Sequence, residues 1–404
     1  MQCTPMAVAP TTAPTLVVAP TSLLAAFAAV PDPRRQASID YPLPAVLAPV
    51  VAALLARQLS QLAIAEWAAR QSAAVLAPLG LTAGRTPCQS TLQRLCARLD
   101  ADQLIDALSG HFQPRAAPDP GARGSQGVAI DGKAQRGRLR FQAGGSLVHA
   151  LTAFCHEQGV VLAQEPIDST AEKTEAELSV APALLARVDW RGRVLTGDAL
   201  FCQRRLCRQV LDAGGDYLLV VRENQPALHA DLALLFDPPP GVAALPLLDR
   251  REAVTLERGH GRTHDRRYLV ASTDLNTYLD WPGVAQVFHL ERTWREGDTT
   301  HRQRHYGLTS LPPDHADAAR LLALKRGHWT VENHLHHAKD VTLGEDRSLS
   351  HAGSGPTVMA LLRDAALSLL RRAGHRRIAC QLRAHADHPL AAVALVVAPP
   401  RTHA

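Results

Sequence analysis

Three acidic residues stand where a protein could use them for chemistry. Asp131 closes the apolar run from Gly127 to Ile130 and is followed by Gly132 and Lys133; Asp198 closes Arg193 to Gly197 in the same way. Glu332 lies in residues 326–348, RGHWTVENHLHHAKDVTLGEDRS. Read as a helix, this stretch puts Glu332, His336 and Lys339 at i, i+4 and i+7, so a carboxylate, an imidazole and an amine share one face while Val331, Leu335 and Ala338 form a neighbouring strip that docks. Three converging acids can hold two divalent cations about 3.5–4 Å apart, an arrangement that activates an attacking oxygen and stabilises the leaving oxygen of a phosphodiester. Hard oxygen ligands select Mg2+ or Mn2+. Zinc on His334, His336 and His337 is disfavoured, because neighbouring histidines on a helix point to different faces. Each acid alone has a plainer reading: Asp131-Gly132 as a turn, Asp198 as a cap of the next helix, and the Glu332 stretch as a solvated helix with one ion pair. Glu345 and Asp346 are the reserve candidates, beyond the expected helix end.

The elements that must position these acids are legible from periodicity. Gly127–Asp131, Leu147–Phe154, Val160–Pro166, Arg193–Gly197 and Tyr217–Arg222 read as strands, with helices over Ala171–Arg187 and Gln203–Ala213. Three strands, helix, strand, helix, strand implies a mixed sheet whose first two acids sit at neighbouring strand ends, where sites in α/β sheets lie. Gly132 lets the chain turn and leaves room for a ligand. Before this sheet come helical patterns over Ser22–Val30, Ala45–Gln58, Ser60–Gln71, a segment opened by Thr86-Pro87 through Leu99, and Ala101–Phe112. Ser60–Gln71 and Gln89–Leu99 suit a helix-turn-helix presenting Gln89, Ser90, Gln93, Arg94 and Arg98 to DNA. They suit a purely supporting bundle equally well.

At 404 residues the chain is long for one core, and 46% hydrophobic with 20% charged residues is an ordinary soluble composition. The net charge of +5 permits a nucleic-acid partner without requiring one. Lysine is scarce: of 43 basic residues only Lys133, Lys173, Lys325 and Lys339 are lysines, and three of these lie beside the acidic segments. Seven scattered cysteines, with no CxxC spacing, argue against a zinc site or a disulfide framework and fit a reducing cytoplasm. The Pro/Thr/Ala-rich start has no signal-peptide pattern, and the apolar run Leu43–Ala56 is shorter than the ~18–20 residues of a membrane span.

These residues carry a resemblance. The chain resembles the DDE transposases of bacterial insertion sequences, in the group that includes the H-repeat-associated proteins. The resemblance rests on DPRRQASIDYPLPAVLAPVVAALLARQLSQLAIAEWA, VAIDGKAQRG, VLTGDALFCQ, GGDYLLVVRENQ, ERGHGRTHDRR and the 326–348 stretch, together with LRAHADHPLAAVALV near the end. Their order and spacing are specific where any one is weak. The resemblance implies an RNase H-like mixed sheet flanked by helices, with catalytic and metal-binding roles for Asp131, Asp198 and Glu332, and two Mg2+ (or Mn2+) ions. It also implies a mostly β insertion between the second and third acids, with strands near Tyr268–Ser272, Val284–Glu291 and His305–Thr309. The resulting division is a disordered segment 1–20, a helical DNA-binding domain 21–113, a linker 114–126, a first catalytic part 127–223, the insertion 224–313, a second catalytic part 314–375 and a C-terminal segment 376–404.

Lys339 has the spacing from Glu332 of the lysine in the family's acidic-basic signature, where it would contact the DNA backbone. The signature's tyrosine is Lys325 here and its arginine position is His328, with Arg326 nearby. The tryptophan that commonly follows its LH pair is His337, and Arg222 replaces a usual lysine. Arg136, Arg138, Arg222, Arg326, His328 and Lys339 would then meet phosphates. The implied reaction is hydrolysis of a strand at the element's end and attack of the freed 3′-OH on target DNA, by a homodimer on double-stranded DNA in the bacterial cytoplasm, at the nucleoid when bound. The alternatives are a transposase-derived DNA-binding protein that no longer cuts, and an RNase H-fold nuclease.

Overall fold

In a computed structural model of the protein, the described residues are 16–82, 84–113, 124, 126–134, 149–167, 173–242, 246–259 and 262–399. Most of the expected linker, Arg136 and Arg138 lie outside them. Along the chain come α1 (Leu23–Phe27), α2 (Leu43–Leu55), α3 (Gln61–Ala69), α4 (Ala73–Leu76), α5 (Gln89–Cys96) and α6 (Ala101–Phe112). Strands β1 (Gln126–Ala134), β2 (His149–Cys155) and β3 (Val161–Ile167) follow, then α7 (Lys173–Ala186), β4 (Arg193–Gly197), α8 (Arg204–Asp212), β5 (Asp216–Val221) and α9 (Pro226–Phe236). Then come β6 (Arg251–Gly259), β7 (Arg262–Ser272), β8 (Gln286–Glu296), β9 (Thr299–Thr309) and α10 (Ala318–Gly327). The last helices are α11 (Gly355–Arg372), α12 (Ile378–Asp387) and α13 (Pro389–Val397).

The chain divides into two compact units, residues 1–107 with 352–404, and residues 108–351. In the first, α2 is uncharged and buried almost all round, as a helix apolar on every side must be. It packs against α1, α3, α11, α12 and α13. The expected division kept 314–375 together; by compactness the residues from 352 on cluster with the helical unit. α11 is buried along nearly its whole length, Arg363 and Asp364 included, and it packs on α2 and α5. Ser60 caps α3 by accepting from the Ala63 N–H at 3.1 Å. The expected start of the next helix at Thr86-Pro87 is corrected: α5 begins at Gln89, with Cys88 in the cap position.

In the second unit nine strands form one sheet, in the order β3-β2-β1-β4-β5-β9-β8-β7-β6. β1 runs parallel to β4, and β4 parallel to β5; every other pair is antiparallel. The central parallel strands β4 and β5 are buried at every residue, so their apolar runs need no alternation. The stretch expected as an inserted β region therefore continues the same sheet through the β5–β9 pair, and its described residues include the helix α9. Helix α10 is capped by Asp317, whose carboxylate accepts from the Arg320 N–H at 2.8 Å. Its Leu321, Leu322 and Leu324 join Val194, Leu218, Leu269 and Phe288 in a core over the sheet. That burial fixes where the chain emerges at Gly327 and enters the Glu332 stretch.

Candidate active site

The β1–β4 pairing places two of the three acids. The last pair of the parallel ladder is Ala129 with Thr196, and Asp131 and Asp198 each follow it two residues on, Asp131 still in β1 and Asp198 just past β4. Adjacent strands lie about 4.8 Å apart. Asp131 is still in β1, opposite Thr152 of β2, and its Oδ1 accepts from the Gly132 N–H at 3.0 Å. Asp198 is exposed and opens a 3-10 turn, its Oδ1 accepting from the Leu200 N–H at 2.9 Å. Gly132 serves a different end from the one expected. It does not turn the chain but continues β1, and a Cβ there would collide with the buried Glu177 carboxylate of α7.

The Glu332 stretch is a helix of unexpected winding. Val331–His336 and Ala338–Thr342 are π-wound, and Glu345–Arg347 is a 3-10 turn. In π winding residue i bonds i+5, so each turn is wider and residue i+7 is carried off the face of residue i. The shared face expected for Glu332, His336 and Lys339 is accordingly lost. Glu332 is exposed. His336 Nδ1 lies 3.5 Å from Asp131 Oδ2, which brings the segment against the end of β1. Lys339 is buried, its Nζ 3.2 Å from Glu345 Oε1. Glu332 lines a cavity of about 580 Å³ with Lys325, Arg326, Trp329, Arg267 and Arg292. Among the described residues, no three or more of His, Cys, Asp or Glu are gathered to hold a metal.

Behind Asp198 the environment is dry. Lys325 is buried, which pushes its ammonium down to about 8 against the attraction of Asp198. His156 is held near 3 by burial and by the charges of Arg320 and Lys325, and its Nε2 meets Thr196 Oγ1 at 3.0 Å. His328 is buried and held far below the usual histidine range by burial, then by Lys325. Neutral and enclosed, it has no surface to offer a phosphate, which corrects the expectation for that position. Arg222 is exposed just past β5. Arg326 is half-buried and ion-paired with Glu257 of β6. Arg94 and Arg98 are exposed on and just past α5.

Sequence reasoning missed Glu177, and it gave Lys133 and Asp340 no role. Lys133 Nζ is 2.5 Å from Asp340 Oδ1 and 3.2 Å from Glu345 Oε2. The placement of the few lysines was the signal that could have pointed there.

A family profile described as "Transposase DDE domain" matches residues 122–370, and one described as "DDE_Tnp_1-associated" matches residues 24–112. The chain belongs to the DDE transposase family. It is similar to "Putative transposase YncI" of Escherichia coli O157:H7, 27% identical over 361 residues and 87% of each chain. It is 30% identical over 271 residues to "Uncharacterized protein in dhlA 3'region" of Xanthobacter autotrophicus, covering 66% of this chain and 86% of that one. "H repeat-associated putative transposase YhhI" of Escherichia coli (strain K12) is 27% identical over 265 residues, 62% of this chain and 66% of its own. Among solved structures, "Cryo-EM structure of piggyBac transposase synaptic complex with hairpin DNA (SNHP)" aligns with a TM-score of 0.42 at 10% identity, covering 92% of this chain and 78% of that one. Among the described residues no helix is long and apolar enough to cross a membrane.

Proposed function

We propose that this protein cuts DNA at the ends of its insertion sequence and joins the freed 3′ strand to target DNA, with Asp131, Asp198 and Glu332 as the catalytic acids. The observation that carries the reading is the β1–β4 register, in which Asp131 and Asp198 each follow the last pair of parallel strands by two residues while the Glu332 segment lies against β1. The strand order β3-β2-β1-β4-β5, antiparallel then parallel, supports reading this half of the sheet as RNase H-like.

The donor chemistry of the site fits Mg2+ or Mn2+. Asp131 keeps 40% of its side chain exposed, and Asp198 and Glu332 are exposed, so hard carboxylate oxygens face outward with no soft ligand among them. Bound there, two such ions would supply Lewis-acid activation of the attacking oxygen and charge stabilisation of the leaving one. The three acids would hold them, and basic side chains would bind and orient the DNA. In the first step a water oxygen bonds to phosphorus as the P–O3′ bond breaks, leaving a 3′-OH. In the second that 3′-OH bonds to a target phosphorus as a target P–O3′ bond breaks, so no bond to the protein forms. Exposed Arg222 and the arginines Arg326, Arg136 and Arg138 would neutralise backbone phosphates, with Arg94 and Arg98 of the helical unit touching the element's ends. A homodimer would hold two ends of double-stranded DNA in the cytoplasm.

The test is incubation of the purified protein with Mg2+ and a linear duplex carrying the gene's own flanking sequence. Nicked ends bearing 3′-OH groups, and their joining to a second plasmid, are the expected products. Binding without either product would sink the reading in favour of a protein that no longer cuts.

A further inference from the structure

We propose that Lys133, Asp340, Glu345 and Lys339 form a positioning clamp that sets the Glu332 segment against Asp131. The inference rests on the catalytic reading above and adds the device that makes the third acid's place reproducible. Glu345 has a fully buried side chain, 0% exposed, and its two oxygens meet different lysines: Oε2 lies 3.2 Å from Lys133 Nζ and Oε1 3.2 Å from Lys339 Nζ. Lys133 also donates to Asp340 Oδ1 at 2.5 Å and to the His336 carbonyl at 3.2 Å. Two ammonium groups thus face two carboxylates, with Glu345 and Lys339 enclosed, Lys133 nearly so and Asp340 at the solvent edge. Breaking such a buried set at one member leaves an uncompensated charge, so the set holds its geometry or fails as a unit.

The clamp joins the two elements that matter. Lys133 and Asp131 are two apart on β1, hence on one face of that strand, while the other three members all lie just beyond Glu332. Lys133 takes hold of the backbone as well as the side chains. The carbonyl it bonds belongs to His336, where the first π-wound segment ends, and His336 itself reaches Asp131.

The choice of residue supports the assignment. In a chain with 39 arginines among its 43 basic residues, two of the four lysines stand here. An ammonium directs its donors around one point, and Lys133 bonds His336 O and Asp340 Oδ1 while its charge stands 3.2 Å from Glu345 Oε2. A planar guanidinium fork could not meet that set. Lys339, at the spacing of a DNA-contacting lysine, is 6% exposed at its side chain and engaged by Glu345.

The test is Lys133→Met, which leaves Glu345 its Lys339 partner so that the fold survives. Lys339→Met is the second variant, removing the clamp from the helical side should the first melt early. Amide exchange of residues 331–342, measured without metal or DNA, is expected to accelerate in either variant while the β1–β4 strands keep their protection. Mn2+ affinity and the cleavage rate at saturating flanking duplex are expected to fall about 10–100-fold, the scale of supporting residues around a metal site, with duplex affinity unchanged. Unchanged exchange in a folded variant overturns the clamp, and so does faster exchange with full Mn2+ affinity and full cleavage. An Asp131→Ala control that cleaves normally instead overturns the catalytic reading, which separates the two failures.

Discussion

Asp131 and Asp198 follow by two residues the last pair of a main-chain ladder between parallel strands, whereas the Glu332 segment is held by side chains. The strand pair fixes its register by a ladder that any sequence of the right pattern forms, and its carboxylates need only be the next residues along. The Glu332 segment has non-standard winding and is held to β1 by the His336–Asp131 contact and the Lys133 interactions. One acid pair is therefore insensitive to side-chain changes around it, while the third acid depends on a small buried charge cluster.

The largest expected effect is on chemistry. Asp131→Ala, Asp198→Ala and Glu332→Ala should each lower strand cleavage by at least about 10²–10³-fold, the scale of a single electrostatic contact at a reacting centre, with folding and DNA affinity retained. Gel assays of end cleavage with each variant check this, and near-normal cleavage by one removes that residue from the set. A next effect separates the two regions. Glu345→Gln leaves Lys133 and Lys339 short of a buried partner and should cost about 3–5 kcal/mol in urea unfolding. A cost near zero would mean that the segment is held by its apolar strip alone.

The third concerns acid. His156 titrates near 3 when folded and near 6.5 when unfolded, so between these values only the unfolded chain binds the proton. Stability is fully present above about 6.5 and falls by about 1.4 kcal/mol per pH unit below it for this residue. His156→Asn should remove one proton's worth of that slope in melts at pH 7.5 and 5.5, and an unaltered slope would refute it. The smallest effect is on binding. Arg222→Ala should flatten the salt dependence of duplex binding by about one phosphate contact, while Lys339→Ala, being buried, should leave the slope unchanged. The reverse result would return Lys339 to the DNA surface.

Much of the fold was legible because it follows from local patterning. The strand before Asp198 and the helices on either side of β4 lie within a residue or two of their expected places, whereas β1 runs three residues past its expected end at Asp131. β6 was missed: Val254 and Leu256 are exposed, so its alternation puts apolar residues on the open side and the periodic signal misleads. Asp131 and Asp198 could be paired from order alone, since strand, glycine and aspartate recur and neighbouring parallel strands share their ends.

What the sequence by itself determined is therefore the strands that lead to Asp131 and Asp198 and the family. Those depend on residue type and short-range period, which a linear chain displays directly. Tertiary structure alone decided the winding of the Glu332 segment, the burial of Lys339 and His328, and the membership of α11 in the helical unit. An α-helical reading of residues 331–342 assumes that each carbonyl bonds four residues on. Here Lys133, some 200 residues distant, takes the His336 carbonyl, and no local pattern could announce a partner that far away.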